Sequence, residues 1–152
     1  MNSDELLVYS LKTMMKEAFE GPSEDGSFYI TTRPEAGLFG TLNALSANDA
    51  SQPSKTSDTP IVSHIYHIYY YLMISNSDFT DSPLDYNDKD SWKVRKANEK
   101  EWHQIKTDLY HEYETFIENV EQVVEWTDEK ANTAQQTLAH TAYHLGALRQ
   151  MI

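Results

Sequence analysis

The chain has 152 residues, carries 12 Lys and Arg against 24 Asp and Glu, and contains no cysteine. Its length predicts one domain with a substantial core, and the lack of thiols excludes disulfides, zinc–cysteine sites and a cysteine nucleophile. The formal net charge of −12 opposes binding to nucleic acid or to an anionic membrane surface, since both rely on basic side chains. We therefore expect residues 1–152 to form a single domain that binds neither.

The N-terminal segment has the pattern of a helix. Ser3 is a candidate cap, acids follow it, and apolar residues then recur at three- and four-residue spacing until Gly21 and Pro22. These signals predict a first helix over residues 4–20. The acids differ from the basic region of a signal peptide, and no apolar run approaches the ~20 residues that span a bilayer. We expect a soluble, cytoplasmic protein.

A long polar connection precedes the second helix. Residues 21–36 read as a loop with a short extended piece at SFYITT, and residues 46–60 are small and polar, which predicts a connection outside the core. Thr59 as cap and Pro60 in the first turn then predict a second helix over residues 61–75. This helix is apolar or aromatic nearly all round, so we expect it to be central.

The third helix follows a second long irregular stretch, residues 76–97. Asn98 and Glu101 have the spacing of a capping box, and an apolar stripe continues from Trp102 until the predicted end near Trp126.

The fourth helix begins between Asp128 and Thr133 and runs to the C-terminus. The short link before it predicts that helices three and four are antiparallel neighbours. Four helices with long connections after the first and the second predict an all-α, four-helix bundle, a fold that places metal and cofactor sites between facing helices.

Histidines are the residues most suggestive of chemistry. His64 and His67 lie in the second helix, and His140 and His144 lie in the fourth. Side chains four residues apart share a helix face, so the latter pair can converge on one metal ion, with a third ligand from another helix. Imidazole suits zinc, copper, iron and nickel, and three protein ligands leave positions open. The alternative is that these rings are hydrogen-bonded packing residues.

Other candidate groups favour structural roles. Tyr70 and Tyr71 are either hydrogen-bond donors near the site or packing residues, and packing is the expectation for them and for Tyr143. The acids of the third helix, together with His103 and His111, are expected to face solvent. Neither a Gly-rich phosphate loop, a G-x-S-x-G elbow nor an H-E-x-x-H zinc-protease motif is present.

Two motifs resemble the DinB/YfiT-like superfamily of metal-dependent enzymes. They are TPIVSHIYHIYYYL, residues 59–72, and AHTAYHLGALRQMI, residues 139–152. The second is the more specific, because that family's last helix often reads His, three residues, His-Leu-Gly, and then a run close to Ala-Leu-Arg-Gln. The DSW segment at residues 90–92, followed by a capped helix, resembles one subgroup. The element order matches over nearly the whole chain, although residues 4–36 carry no recognisable motif.

The resemblance implies a divalent metal held by one histidine of the second helix and two of the fourth. Carried over by position, the ligands are His67, His140 and His144, with His64 as an alternative or additional ligand. The family's helix-two ligand falls about two turns after the cap, which selects His67. Zinc or nickel is the expected metal, with iron and copper also acceptable to three imidazoles.

The resemblance also implies a homodimer and a small-molecule substrate. The activities of that family are small-thiol S-transfer and metal-dependent hydrolysis, so the resemblance implies one of these two. No residue of the sequence identifies a catalytic base. Because the chain has no cysteine, any thiol must belong to the substrate, for example a low-molecular-weight thiol. The alternative is a non-catalytic dimeric bundle whose histidines are structural or hold a metal in a closed site.

Overall fold

A computed structural model describes residues 1–152, which form seven α-helices, one short 3-10 helix and no β-strand. The all-α prediction is therefore confirmed. The α-helices are α1 (Ser3–Glu20), α2 (Leu38–Asn43), α3 (Ala47–Ser51), α4 (Ile61–Ser77), α5 (Asp88–Ser91), α6 (Glu99–Gln122) and α7 (Asp128–Met151), and the 3-10 helix is Pro34–Ala36.

Capping side chains fix where the long helices begin. Asn2, rather than Ser3, caps α1: its side chain accepts a hydrogen bond from the backbone N–H of Glu5 at 2.9 Å. The predicted capping box of α6 is confirmed, since the Asn98 side chain accepts from the Glu101 amide at 2.8 Å. The predicted Thr59 cap is wrong, because Pro60 occupies the cap position of α4 and no side chain bonds there.

Helix ends differ from the predictions by a few residues. Helix α4 extends to Ser77 rather than 75, and α6 ends at Gln122 rather than near Trp126. Helix α7 begins at Asp128, the earlier of the two predicted starts. The Thr127 hydroxyl fixes this start by accepting from the Lys130 amide at 3.2 Å.

Two segments predicted as irregular carry short helices. Within residues 46–60, the Ser46 hydroxyl accepts from the Asp49 amide at 3.1 Å and starts α3, and Ala47 and Ala50 are buried in the core. This segment therefore contributes to the core, contrary to the sequence prediction. Within residues 76–97, Asn87 caps α5 by accepting from the Lys89 amide at 3.0 Å.

The SFYITT piece forms bends rather than a strand. The carboxylate of Glu17, which is only 3% exposed, accepts the backbone N–H groups of Phe28 and Tyr29 at 2.7 and 2.9 Å. Because a side chain of α1 accepts the hydrogen bonds of these two amides, the segment lies along the helix and needs no strand as a partner.

The four long helices share one apolar core. Helix α4 packs on α6 and α7, and α1 packs on the same two helices from the other side. Helices α6 and α7 are therefore not direct neighbours, contrary to the prediction, although only residues 123–127 separate them. As predicted, α4 is central and largely buried. The largest fully buried side chains of the core are Met15, Phe19, Leu38, Leu42, Ile65, Ile68, Leu72, Trp102, Leu109, Phe116, Leu145 and Leu148.

No helix of the structure combines the length and apolar composition that crossing a bilayer requires.

Candidate metal centre

Three histidines from two facing helices converge at one point. His67 on α4 and His140 and His144 on α7 each offer a ring nitrogen, and these three atoms lie within 4.8 Å of one another. The Nε2 atoms of His67 and His140 are 3.0 Å apart. The rings of His140 and His144, one turn apart on α7, have centroids separated by 4.5 Å. Three imidazoles placed in this way can hold a metal ion.

Helix α7 places few other polar partners at this point. The hydroxyls of Thr137 and Thr141 donate to backbone carbonyls one turn earlier, at Thr133 and Thr137, each at 2.8 Å. The proton of each hydroxyl is therefore used within the helix and is not available to an imidazole.

Ser91 fixes the orientation of His67. The Ser91 hydroxyl donates to the carbonyl of Asp88 at 2.6 Å, and its oxygen lies 2.8 Å from Nδ1 of His67. Because the single hydroxyl proton is committed to Asp88, the oxygen can only accept, which assigns the imidazole proton to Nδ1. Nε2 of His67 is then the nitrogen with a free lone pair, and it faces His140.

The segment carrying Ser91 is anchored on α4. The phenol oxygen of Tyr70 accepts from the Asn87 amide at 2.9 Å, and Ser63 donates to the carbonyl of Val94. Trp92 stacks on His67 with ring centroids 3.9 Å apart and an angle of 18° between the planes. His67 is therefore held by a hydrogen bond at one edge and by an indole on one face.

His64 lies beside the three-histidine cluster and is not part of it. Its Nδ1 is 3.3 Å from Nδ1 of His144, and its ring meets Trp92 edge-on at 5.2 Å between centroids. One of the two Nδ1 atoms must carry the hydrogen in this contact. This geometry makes His64 a neighbour that can orient His144.

Burial keeps the clustered imidazoles neutral at pH 7. Burial, together with the neighbouring His140 and His67, lowers the pKa of His144 to about 3. It lowers the pKa of His67 to about 4, with His140 acting in the same direction and the Asp88 carboxylate opposing. The pKa values of His64 and His140 are also lowered, chiefly by burial. Neutral imidazole is the form that binds metals.

A cavity of ≈ 490 Å³ opens above the histidines. Its only carboxylate belongs to Asp88, which accepts a hydrogen bond from the Tyr71 phenol at 2.7 Å. Burial, followed by this carboxylate, raises the pKa of Tyr71 to about 12, so the phenol remains protonated. The lining residues are His67, Ile68, Tyr71, Leu72, Ser75, Asp88, Trp92, Gln136, Thr137, His140, Thr141, Tyr143 and His144.

The remaining predicted residues take clear positions. Tyr70 is buried and anchors α5, whereas Tyr71 lies at the cavity. Tyr143 was expected to pack but is 76% exposed at the cavity rim. His103 and His111 are exposed, as predicted. The acids of α6 are mostly exposed, although Glu112 is half-buried and accepts from Asn76 at 2.7 Å.

Sequence reasoning did not assign roles to Ser91 and Asp88. Both lie on α5, inside a stretch predicted to be irregular. The available signal was an Asn followed by acids at residues 87–90, a helix-start pattern that overlaps the first residue of the DSW segment. It predicts a turn of helix but does not reveal that the turn packs against α4.

Comparison of the chain with protein-family models, with curated proteins and with solved structures found no match.

Proposed function

We propose that the protein is a metal-dependent enzyme on a DinB/YfiT-like four-helix bundle, formed by α1, α4, α6 and α7. Its divalent metal is held by His67, His140 and His144, and it acts as a small-thiol S-transferase or a hydrolase. The observation that carries this proposal is the convergence of three ring nitrogens within 4.8 Å below an open cavity.

The donor set fits a divalent transition metal. The pKa shifts keep all three imidazoles neutral, so no proton has to be displaced at pH 7. The His67–Ser91–Asp88 chain is the type of outer hydrogen bonding that orients metal-binding histidines. Zinc and nickel are the metals we expect there, and iron and copper also accept imidazole.

The chain's own residues would prepare the reaction. Ser91 holds the proton of His67 at Nδ1, Trp92 covers one face of that ring, and Ile68 and Leu72 give one wall of the cavity an apolar surface. When bound, a divalent metal would supply Lewis acidity that lowers the pKa of a water or a thiol. Since the chain has no cysteine, a thiol would come from the substrate.

The open cavity favours an enzyme over a closed, structural metal site. A closed site would have a fourth protein ligand, and the cluster comprises three.

A non-catalytic bundle is the second candidate, and one contact favours it. His67 and His140 meet at 3.0 Å between Nε2 atoms, so one imidazole can donate to the other without any metal. In that case the four histidines would be a hydrogen-bonded part of the core. The homodimer expected for either candidate stays a prediction, which light scattering tests.

An activity screen tests the proposal. Purified protein, stripped of metal and then reloaded with zinc, nickel or iron, is incubated with low-molecular-weight thiols plus an electrophile, and separately with ester and amide substrates. We expect turnover that requires metal and that His140→Ala abolishes, while the exposed-histidine control His111→Ala retains it. Turnover that is indifferent to both metal and His140, or the absence of metal binding, would contradict the proposal.

A further inference from the structure

The cavity above the histidines carries a negative side chain and no basic one. Apart from the histidines, its lining contains one ionisable carboxylate, that of Asp88, and neither Lys nor Arg. A substrate with a phosphate or several carboxylates would therefore meet no cation of the chain in this cavity. A substrate with a positive charge would meet Asp88.

Asp88 is available for such a contact. It is exposed, and its Oδ1 accepts the Tyr71 phenol at 2.7 Å, while Oδ2 has no hydrogen-bond partner in the chain. The one ion pair of the structure joins Lys12 to Glu121, so Asp88 has no basic partner either. Its charge nevertheless reaches the histidines, since it raises the pKa of both His67 and His140 against the effect of burial.

Tyrosine rings line the same cavity, and a further tyrosine contacts one of them. Tyr71 lines the cavity from α4, and Tyr143 lines it from α7 with 76% of its surface exposed. Tyr86, which is 65% exposed, meets the Tyr71 ring edge-on at 5.9 Å between centroids. Aromatic faces next to a carboxylate attract ammonium groups through the ring quadrupole.

The segment beside the cavity adds a negative field. Residues 78–90, which lead into α5 and include most of it, contain five Asp and one Lys, so they contribute −4 of the formal net charge of −12. A field of one sign around a cleft raises the local concentration of ligands of the opposite sign.

We propose that the cavity selects substrates that carry a protonated amine, which the Asp88 carboxylate binds, with the rings of Tyr71 and Tyr143 lining the same space. The inference rests on the proposed function, because it names the substrate class of that site. Asp88 is the specificity-determining residue, and the reacting part of the substrate lies toward the histidines.

Three matched probes test the charge preference on metal-free protein at pH 7: benzylamine, benzyl alcohol and benzoate share one ring and differ in charge. NMR titration of amide and indole N–H signals reports affinity and location. We expect benzylamine to bind at the cavity about fivefold more tightly than benzyl alcohol, near the upper range for an exposed ion pair, with benzoate weakest.

Two variants separate Asp88 from the general field. Asp88→Asn keeps an acceptor for Tyr71 and should remove the preference for benzylamine. Asp85→Asn removes one negative charge from an exposed position outside the cavity lining, and this variant should retain the preference for benzylamine. The proposal is overturned if no probe binds at the cavity, if benzoate binds as tightly as benzylamine, or if both variants lose the preference equally.

Zinc titration of the same variants separates this inference from the proposed function. A protein that binds zinc through its histidines but is indifferent to probe charge refutes only the amine subsite. A protein that prefers benzylamine but binds no zinc refutes the metal enzyme and leaves the charge preference of the cavity in place.

Discussion

Ser91→Ala tests whether the hydrogen bond to His67 prepares a metal ligand. Ser91 is fully buried and His67 is 5% exposed, so water cannot replace the lost hydroxyl. In the metal-free protein, His67 can move its proton to Nε2 and donate to His140, 3.0 Å away. With a metal at Nε2, the proton must stay on Nδ1 without an acceptor. The variant should therefore weaken the metal-bound state more than the metal-free state.

The size of this effect follows from the burial. A buried donor left without a partner costs about 1–3 kcal/mol. Loss of an outer-shell partner of a metal ligand typically lowers metal affinity by roughly 10–100-fold, which is the same range. We expect Ser91→Ala to bind zinc with a Kd raised by about that factor, at unchanged stoichiometry.

The assay is zinc titration against a competing chromophoric chelator at pH 7. Ser77→Ala is the matched control, because Ser77 is a buried serine of α4 whose hydroxyl accepts from the Leu84 amide at 2.9 Å and touches no histidine. An equal loss of affinity in both variants, or a Kd for Ser91→Ala within about twofold of the parent protein, would refute the role assigned to Ser91.

Three further predictions concern stability. The folded-state pKa of His67 is about 4 and its ordinary value is 6.5, so the unfolded chain takes up a proton first as pH falls. The metal-free protein should therefore lose stability from about pH 6.5 toward pH 4. Urea midpoints that stay level across this window would contradict the burial of a neutral ring. Glu17→Gln should lower the free energy of unfolding by about 1–3 kcal/mol, because one of the two part-buried amides that bond the Glu17 carboxylate loses its charged acceptor. The exposed variant Glu114→Gln should be nearly neutral in the same urea titration. Zinc at about 100 times its Kd should raise the free energy of unfolding of the parent protein by about 2.7 kcal/mol, measured by thermal unfolding. An equal increase in the His140→Ala variant would show that the metal binds elsewhere.

Local signals predicted the long helices well. The Asn98–Glu101 capping box and the Gly21 stop appear where the sequence indicates them, because side-chain caps and glycine act on the adjacent turn. The short helices α3 and α5 were missed although each has a local cap, Ser46 and Asn87. Each is a single turn or little more, too short for an apolar period, and is held by a distant residue. Tyr70 accepts from the Asn87 amide that precedes α5, and Glu99 accepts from the Ala47 amide of α3.

Packing order was beyond local signals. A short link between α6 and α7 suggested that they were neighbours, yet both pack on α1 and α4 and lie across the core from each other. Which helices meet depends on how all four apolar surfaces are buried together. A single loop length does not contain that information.

The histidine cluster was accessible to sequence reasoning because its spacing is helical. His140 and His144 lie one turn apart, and His67 reaches them from α4. The choice between His64 and His67 depended on a family resemblance. In the structure they differ by their partners, Ser91 for His67 and His144 for His64. Ser91 and Asp88 carry no spacing signal, because their position depends on the packing of α5 on α4.

The most direct test of the three-histidine site is the amount of zinc bound per chain. Protein dialysed against zinc and analysed for metal content should hold about one ion per chain, and His144→Ala should hold none. The exposed-histidine control His103→Ala should bind as the parent does, and circular dichroism should confirm that all three proteins are folded. Undiminished zinc in His144→Ala would contradict the assignment of the metal centre to these histidines.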